Sequence, residues 1–238
     1  MKTIITMLVL TVLCGAISAQ NIKLPAPKKS GGKALMDCLN ERQTDRNFDT
    51  KQLSLQDLSD LVWAANGINR PESGKRTVPT ATNWQEMVLY VATADGIYRY
   101  NAEKHELELV KKGDFRKECG PQPFMGVAPV CFIYTADHNK EGRITNPEHQ
   151  KEYSYHHAGY MAQSVYLVCA AKDMATVVIG SVDKEELAKV IGLPAKHIVI
   201  YTQPVGYKKK GLKPSSGGFL FPLFKKYYLS LRQIQSAK

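Results

Sequence analysis

Two arginines and a threonine, close together in the chain, are the first residues whose types and spacing could do chemistry. Arg42 and Arg46 are four residues apart, and Thr44 lies between them. In a helix this spacing would bring both guanidinium groups to one side of a turn, with the hydroxyl nearby. A guanidinium offers a planar fork of donors that suits a phosphate or another anion. The same residues could equally form a solvated helix end, because surface charges are common.

A second polar group follows at residues 79–85. Pro79, Thr80 and Ala81 form a turn-prone start, and Asn83 and Gln85 are two amides separated by one residue. In an extended segment both amides would point to the same side. Together they could pair with a planar ligand that has donor and acceptor edges. The alternative is a polar loop that caps the following strand.

The first 19 residues have the pattern of a secretory signal peptide. Lys2 is followed by a short apolar run that ends at the small residue Ala19. The run is too short and too weakly flanked for a membrane anchor. Cys14 would permit lipoprotein processing, but Leu13 stands before it, where a small residue is preferred. We therefore predict export to the periplasm or cell envelope, with cleavage near Ala19.

The rest of the chain has a length that suits one domain. We predict an exposed leader at 20–32, rich in proline, lysine and glycine, then a domain at 33–210 and a C-terminal arm at 211–238. The arm joins an apolar aromatic cluster to basic residues. This composition suits docking on a partner chain, contact with a membrane surface, or disorder.

Hydrophobic periodicity predicts an α+β fold, because strands and helices are mixed without strict alternation. Ser54 can cap a helix that Gly67 ends in the left-handed conformation. Asp95-Gly96 predicts a hairpin between two strands. The predicted helices are 33–43, 54–66, 153–172 and 183–192, and the predicted strands are 87–93, 97–101, 105–110, 128–137, 176–180 and 197–206.

Charge and cysteine patterns exclude several classes of protein. Without Lys2, 31 basic residues stand against 22 acidic ones, an excess of 9. The lysines are scattered and no nucleic-acid-binding signature occurs, so we predict no nucleic-acid partner. No metal site is predicted either, because CxxC pairs are absent and adjacent His156 and His157 would point about 100° apart on a helix. Cys119 and Cys131 could form a disulfide in an oxidising compartment.

Taken in order, these stretches resemble the nitroreductase family of flavin enzymes. Arg42-Gln43-Thr44-Asp45-Arg46 is similar to the family's R-R-S-x-R pattern, and residues 79–85 are similar to its P-S-x-x-N-x-Q pattern. Residues 53–70 resemble the second helix of the family's azoline dehydrogenase branch. Residues 158–194 resemble its central helix, flavin-facing turn, strand and next helix, and residues 204–210 its closing strand. The resemblance spans about residues 34–210.

The resemblance implies a nitroreductase-like fold with a mostly antiparallel central sheet flanked by helices, in a domain-intertwined homodimer. FMN would lie at the dimer interface, so each site would draw on both chains. The arginines, Thr44 and one of the two lysines would hold the phosphate and ribityl chain, and the two amides would lie near the pyrimidine edge. No catalytic residue is implied. The cofactor-binding residues that it implies are Arg42, Gln43, Thr44, Arg46, Pro79, Thr80, Ala81, Asn83, Gln85, Met174, Ala175, Lys209 and Lys210.

Three positions depart from the family pattern. The glycine-rich turn before the short strand reads Lys172-Asp173-Met174-Ala175-Thr176, without either glycine. A side chain from Asp173 or Met174 would crowd the flavin, or the turn would swing away, and Lys172 could offset the carboxylate. Gln43 replaces the usual second arginine, and Glu86 replaces the proline after Gln85.

The resemblance implies an exported FMN-dependent oxidoreductase that passes hydride through flavin N5. No dinucleotide-binding motif occurs, so NAD(P)H would act only as a transient electron donor. Two alternatives stay open. The lost glycines suggest a non-catalytic flavin-binding scaffold, and the branch of the resemblance suggests an azoline dehydrogenase.

Overall fold

A seven-stranded antiparallel sheet forms the centre of the computed structural model, which describes residues 20–140, 142 and 144–211. The strands of the described residues are β1 Ile22–Lys23, β2 Ile68–Arg70, β3 Lys75–Arg76, β4 Met87–Ala92, β5 Gly96–Asn101, β6 Glu106–Lys112, β7 Val130–Asp137, β8 Met174–Thr176 and β9 His197–Tyr207. The order in the large sheet is β1-β6-β5-β4-β7-β9-β8, and β2 and β3 form a separate hairpin. The predicted signal peptide at 1–19 and the predicted arm beyond Gly211 lie outside the described residues.

Helices pack on the sheet and complete the predicted α+β fold. They are α1 Leu35–Glu41, α2 Leu55–Asn66, α3 Pro147–Ala171 and α4 Lys184–Ile191. Phe132 and Tyr134 of β7 belong to the core cluster that includes residues of α2 and α3, whereas Cys131 and Ile133 belong to the cluster that includes residues of α4. Successive side chains of a strand point to opposite faces, so β7 is buried on both. This confirms the strand predicted at 128–137.

The caps of α2 follow the sequence in part. Ser54 accepts a hydrogen bond from the backbone of Asp57 at 3.0 Å, as predicted. The prediction for Gly67 is wrong, because its backbone is extended with φ −76°. Glycine is needed there for space, since a Cβ atom would lie 2.2 Å from Cδ1 of Trp63.

The β4–β5 hairpin is confirmed, with Ala92 opposite Ile97. Gly96 is not left-handed but belongs to β5. A Cβ atom on Gly96 would lie 2.6 Å from the carbonyl oxygen of Lys111 in β6. The glycine therefore permits close approach of the neighbouring strand.

The leader at 20–32 is not wholly exposed, so that expectation is wrong for Ile22, which is half-buried, and for Leu24. β1 pairs with β6, and Leu24 is buried. The carbonyl of Pro25 accepts a hydrogen bond from the Ser59 hydroxyl at 2.6 Å, and Lys28 donates its backbone N–H to Asp60 at 2.8 Å. These contacts tie the leader to α2.

Two element boundaries differ from the prediction. α3 begins at Pro147 instead of residue 153, because Asn146 caps it by accepting from the backbone of Glu148 at 2.9 Å. The strand predicted at 176–180 is formed by residues 174–176, and beyond it Ile179 makes an isolated bridge to Thr202.

The four cysteines of the described chain are free and buried, so Cys119 and Cys131 are not joined here. Burial raises the pKa of the Cys131 thiol, and the neighbouring Cys119 thiol raises it further. None of the helices within the described residues combines the length and apolar character needed to cross a membrane.

Candidate functional site

The Arg42–Arg46 segment leaves α1 instead of continuing it. The helix ends at Glu41, and Arg42 has φ −57° and ψ 120°. The predicted shared helical turn is therefore wrong. Tyr166 of α3 holds the segment in place, because the Arg42 guanidinium lies 5.4 Å from the centre of its ring. The Thr44 hydroxyl lies 3.4 Å from the Tyr166 hydroxyl, so Arg42 and Thr44 both contact Tyr166.

The chain beyond Thr44 runs antiparallel to the end of β9. Phe48 forms a β-bridge with Lys208, and Lys209 donates its backbone N–H to the carbonyl of Asn47 at 2.9 Å. Lys209 thus lies beside the segment that carries Arg46, and Lys210 follows in a turn. The backbone pairing therefore brings the neighbourhoods of Arg46 and Lys209, 163 positions apart in the sequence, to one edge of the fold.

The turn at 80–85 is left-handed, not extended. Thr82, Asn83 and Gln85 have φ values of 44°, 60° and 51°. Non-glycine residues rarely adopt this region, and each such residue costs about 1–3 kcal/mol, which the surrounding structure must offset. The prediction that Asn83 and Gln85 share one side of an extended segment is therefore wrong in its geometry. The two amides nevertheless touch, because Gln85 donates Nε2 to Oδ1 of Asn83 at 3.2 Å.

Hydrogen bonds from three directions fix Gln85. Its backbone N–H donates to the Thr80 hydroxyl at 3.0 Å. Its Oε1 accepts from Nε of Arg76 at 2.9 Å, and its Nε2 also donates to the carbonyl of Gly74 at 3.2 Å. Asn83 is exposed, and so is Pro79. The turn therefore leaves Asn83 exposed, while the amide of Gln85 holds the turn together.

A buried pair supports this turn from below. His157 of α3 is hydrogen-bonded through Nδ1 to Oε1 of Glu86 at 2.5 Å, and its Nε2 accepts the backbone N–H of Ala81 at 3.0 Å. Since Nε2 accepts, the proton of the neutral ring lies on Nδ1, which donates to the carboxylate. Glu86 is fully buried, and its Oε2 has no partner among the described residues. Glu86, at the proline position, thus becomes the anchor of the turn.

The turn at 172–176 holds Asp173 in the left-handed conformation with φ 54°. Its carboxylate is exposed and pairs with Lys208. Lys172 does not offset this charge as expected, because it pairs with Asp57 at 2.8 Å and Asp60 at 2.7 Å. Burial raises the pKa of Asp57, but hydrogen bonds from Lys172 and neighbouring hydroxyls outweigh it and bring the pKa to about 2.

The side chains of Met174 and Ala175 do not protrude toward solvent. Both are buried, Met174 in the cluster on the α2–α3 side and Ala175 in the cluster on the α4 side. The backbone of this strand adjoins the arginine segment instead, because Asp45 donates its N–H to the carbonyl of Thr176 at 3.1 Å. β8 could therefore contribute main-chain atoms to a ligand, but not these two side chains.

The predicted residues form two separate clusters in one chain. The cationic cluster comprises Arg42, Thr44, Arg46, Lys209 and Lys210, and the amide cluster comprises residues 79–85. The first is held by Tyr166 and the second by His157, which are nine residues apart on α3. Nine residues are about 14 Å and half a turn around a helix, so the two clusters lie on opposite sides of α3. Gln43 is exposed beside the cationic cluster.

Comparison with known proteins gives the same family. The sequence model of the nitroreductase family matches residues 39–207. The chain belongs to the nitroreductase family. A structure of a nitroreductase relative from Ralstonia eutropha JMP134 has 35% identity and a TM-score of 0.76, covering 80% of this chain and 90% of that one. A Methanocaldococcus jannaschii protein named for the nitroreductases is 27% identical over 184 residues, which are 73% of this chain and 91% of that protein.

More distant nitroreductase-like structures share the fold. The Escherichia coli microcin synthetase McbBCD complex, bound to truncated pro-MccB17, contains a chain with a TM-score of 0.62 and 16% identity, covering 87% of this chain and 85% of that one. The trifolitoxin operon protein TfxC of Rhizobium leguminosarum bv. trifolii is 28% identical over 102 residues, but these cover only 29% of its length. The predicted nitroreductase-like fold is confirmed.

Sequence reasoning missed three residues that organise these clusters. The sequence alone assigns no role to Tyr166 or Arg76, and His157 is considered there only as a possible metal ligand. No local pattern marks Tyr166 or Arg76. The replacement of proline by Glu86 was a usable signal, since a carboxylate before a buried strand requires a partner.

Proposed function

We propose that this nitroreductase-family protein is an FMN-dependent oxidoreductase. The observation that carries the proposal is the convergence of Arg42, Arg46 and the Lys209–Lys210 pair on one edge of the fold, with the Thr44 hydroxyl beside them. Several cations and a hydroxyl around one dianion give strong, charge-assisted hydrogen bonds. The donor set therefore fits the single phosphate of FMN.

The chain supplies binding and orientation in this proposal. When bound, FMN would supply hydride transfer through its N5 atom. Arg42, Thr44 and Arg46 would hold the phosphate end, and the exposed amide of Asn83 would contact the ring edge. NAD(P)H would serve as a transient donor, because the sequence carries no dinucleotide-binding motif.

A homodimer would complete the site. The cationic and amide clusters lie on opposite sides of α3, so one chain does not bring them around a single ligand. Two apolar side chains of α1, Leu35 and Met36, are 62% and 72% exposed, and Tyr160 of α3 is 48% exposed. Burying such apolar surface against a second copy is favourable. Light scattering tests this, and a monomer that still binds FMN would contradict it.

Titration of FMN into two variants tests the cofactor site. Arg42→Ala or Arg46→Ala should weaken FMN binding by about 1.5–3 kcal/mol each, the usual contribution of a charged hydrogen bond. Lys75→Ala removes an exposed cation from the distant β3 and serves as the control. Protein that shows no flavin absorbance after incubation with FMN would refute the proposal. Equal FMN affinities in all variants would show that the phosphate does not bind at Arg42 and Arg46.

Two alternatives follow from specific observations. The first is a non-catalytic flavin-binding scaffold, motivated by Asp173 in the place of a glycine; bound FMN that no nicotinamide or artificial donor reduces would favour it. The second is an azoline dehydrogenase, supported by the shared fold of the microcin synthetase complex. Oxidation of a thiazoline- or oxazoline-containing peptide, followed by mass spectrometry, would favour the second.

Export is also part of the proposal. Residues 1–19 carry the signal-peptide pattern, and cleavage would leave Gln20 as the first residue. Mass spectrometry of the protein from the native host tests this. An intact N-terminus that begins at Met1 would contradict export by this route.

A further inference from the structure

A polar cavity of about 220 Å³ adjoins the 80–85 turn, which contributes Gln85 to its lining. It lies between the end of α2, the β2–β3 hairpin and the β4–β5 strands. Its charged lining consists of Arg76, Arg99 and Lys140, with Glu103 as the acidic member. The amides of Asn66 and Asn101 and the Gln85 side chain add polar surface.

Arg76 is a partly buried cation whose side-chain hydrogen bonds all go to neutral groups. Its Nε donates to Oε1 of Gln85 at 2.9 Å, and its Nη1 donates to the carbonyl of Asn66 at 3.0 Å. Within the described chain, no carboxylate lies within 4.0 Å of its guanidinium, and Nη2 makes no hydrogen bond. Burial lowers the pKa of Arg76, although nearby Tyr100 and Glu103 raise it in part. The charge of Glu103 favours the Arg76 guanidinium but forms no ion pair with it within 4.0 Å, so an anion placed beside Nη2 would offset more of the cost of burial.

The other charged groups leave the cavity positive. Arg99 is already paired with Glu108 at 2.6 Å, so its charge is largely balanced. Lys140 reaches the carbonyl of Gln85 with Nζ at 3.5 Å. Glu103 is exposed at the rim. Arg76 and Lys140 together therefore outweigh the single unpaired acid.

The size of the cavity limits the ligand. Sites for drug-sized ligands measure about 300–1,000 Å³, so this one admits a small acid or the acidic end of a larger molecule. A guanidinium fork matches the two oxygens of a carboxylate, and an ammonium group adds a point charge beside it.

We propose that this cavity is a carboxylate-binding site with Arg76 and Lys140 as its cationic ligands. Gln85 links it to the turn that carries Asn83, so a bound acid would lie next to the proposed flavin site. The inference that this acid belongs to the substrate rests on the proposed function. The inference that the cavity binds a carboxylate does not depend on the proposed function.

Calorimetric titration with benzoate and benzamide tests the site without FMN. The two probes have nearly the same shape, and only benzoate is charged. The full chain should bind benzoate more tightly than benzamide. Arg76→Gln should weaken benzoate binding by at least about tenfold, the effect of losing one charged hydrogen bond, while Arg76→Lys should weaken it less. The control Lys75→Gln removes an exposed charge one residue away and should leave the affinity unchanged.

Equal binding of the two probes, or equal benzoate affinity in Arg76→Gln and the unchanged chain, would overturn the proposal. If Arg76→Gln does not fold, Lys140→Gln decides, and an unchanged benzoate affinity in that variant overturns the two-cation site. FMN is titrated separately. Benzoate binding without FMN binding would refute the proposed function and keep this site, whereas the reverse would refute this site alone.

Discussion

Replacing His157 by leucine should destabilise the protein more than any exposed substitution on α3. His157 is 4% exposed and Glu86 is 0% exposed, so little water can reach the pair. The substitution leaves both carboxylate oxygens of Glu86 without a partner, because Oε2 already lacks one among the described residues. It also removes the acceptor of the Ala81 N–H.

The expected loss follows from the burial of the carboxylate. Removing the hydrogen-bond donor of a buried carboxylate costs about 3 kcal/mol or more, because a charged group is left without a partner. Ala81 is only half-buried, so water can replace its lost acceptor and adds little to the cost. Against a total stability of about 5–15 kcal/mol, this is a large fraction. For a chain of this size it corresponds to a fall in Tm of roughly 6 °C or more.

Urea unfolding at one fixed protein concentration measures the loss, since dimerisation would otherwise shift the midpoint. His156→Leu is the matched control, because His156 is exposed and adjacent, and it should change stability by at most about 0.5 kcal/mol. The double variant His157→Leu with Glu86→Leu removes both members and should recover most of the loss. A cost below about 1 kcal/mol for His157→Leu, or a double variant less stable than the single one, would refute the reasoning.

Three further outcomes are expected. The pKa of Asp57 is lowered from 3.8 to about 2 in the folded chain. Its contribution to stability is therefore present above pH 3.8 and is lost as the pH falls toward 2. Lys172→Met should flatten this part of the curve of unfolding free energy against pH. Asp173→Gly should raise the reduction potential of bound FMN if the turn contacts the ring, since a nearby carboxylate opposes added electrons. Equal potentials in a dye-coupled titration would mean that the carboxylate lies away from the ring or is balanced by its lysine partner. Gly67→Ala should lower stability by about 1–3 kcal/mol in thermal unfolding, because the new Cβ atom would overlap Trp63, and an unchanged Tm would contradict the close contact.

The sequence alone determined the features that depend on near neighbours. The capping of α2 by Ser54 and the β4–β5 hairpin follow from a few adjacent residues, and the buried β7 follows from an unbroken apolar run. The ordered family motifs were sufficient to predict the fold. They also brought Arg42, Thr44 and Arg46 forward as candidates, although the assumed helical geometry was wrong.

Tertiary structure decided how those candidates are arranged. Whether Arg42 ends or continues α1 depends on Tyr166, which is 124 positions away, and the left-handed turn at 82–85 depends on His157. The position of β1 likewise depends on its pairing with β6. No local pattern in the sequence predicts such contacts, because they join residues that only folding brings together. Local spacing therefore identified which side chains to consider, and long-range packing determined which of them meet.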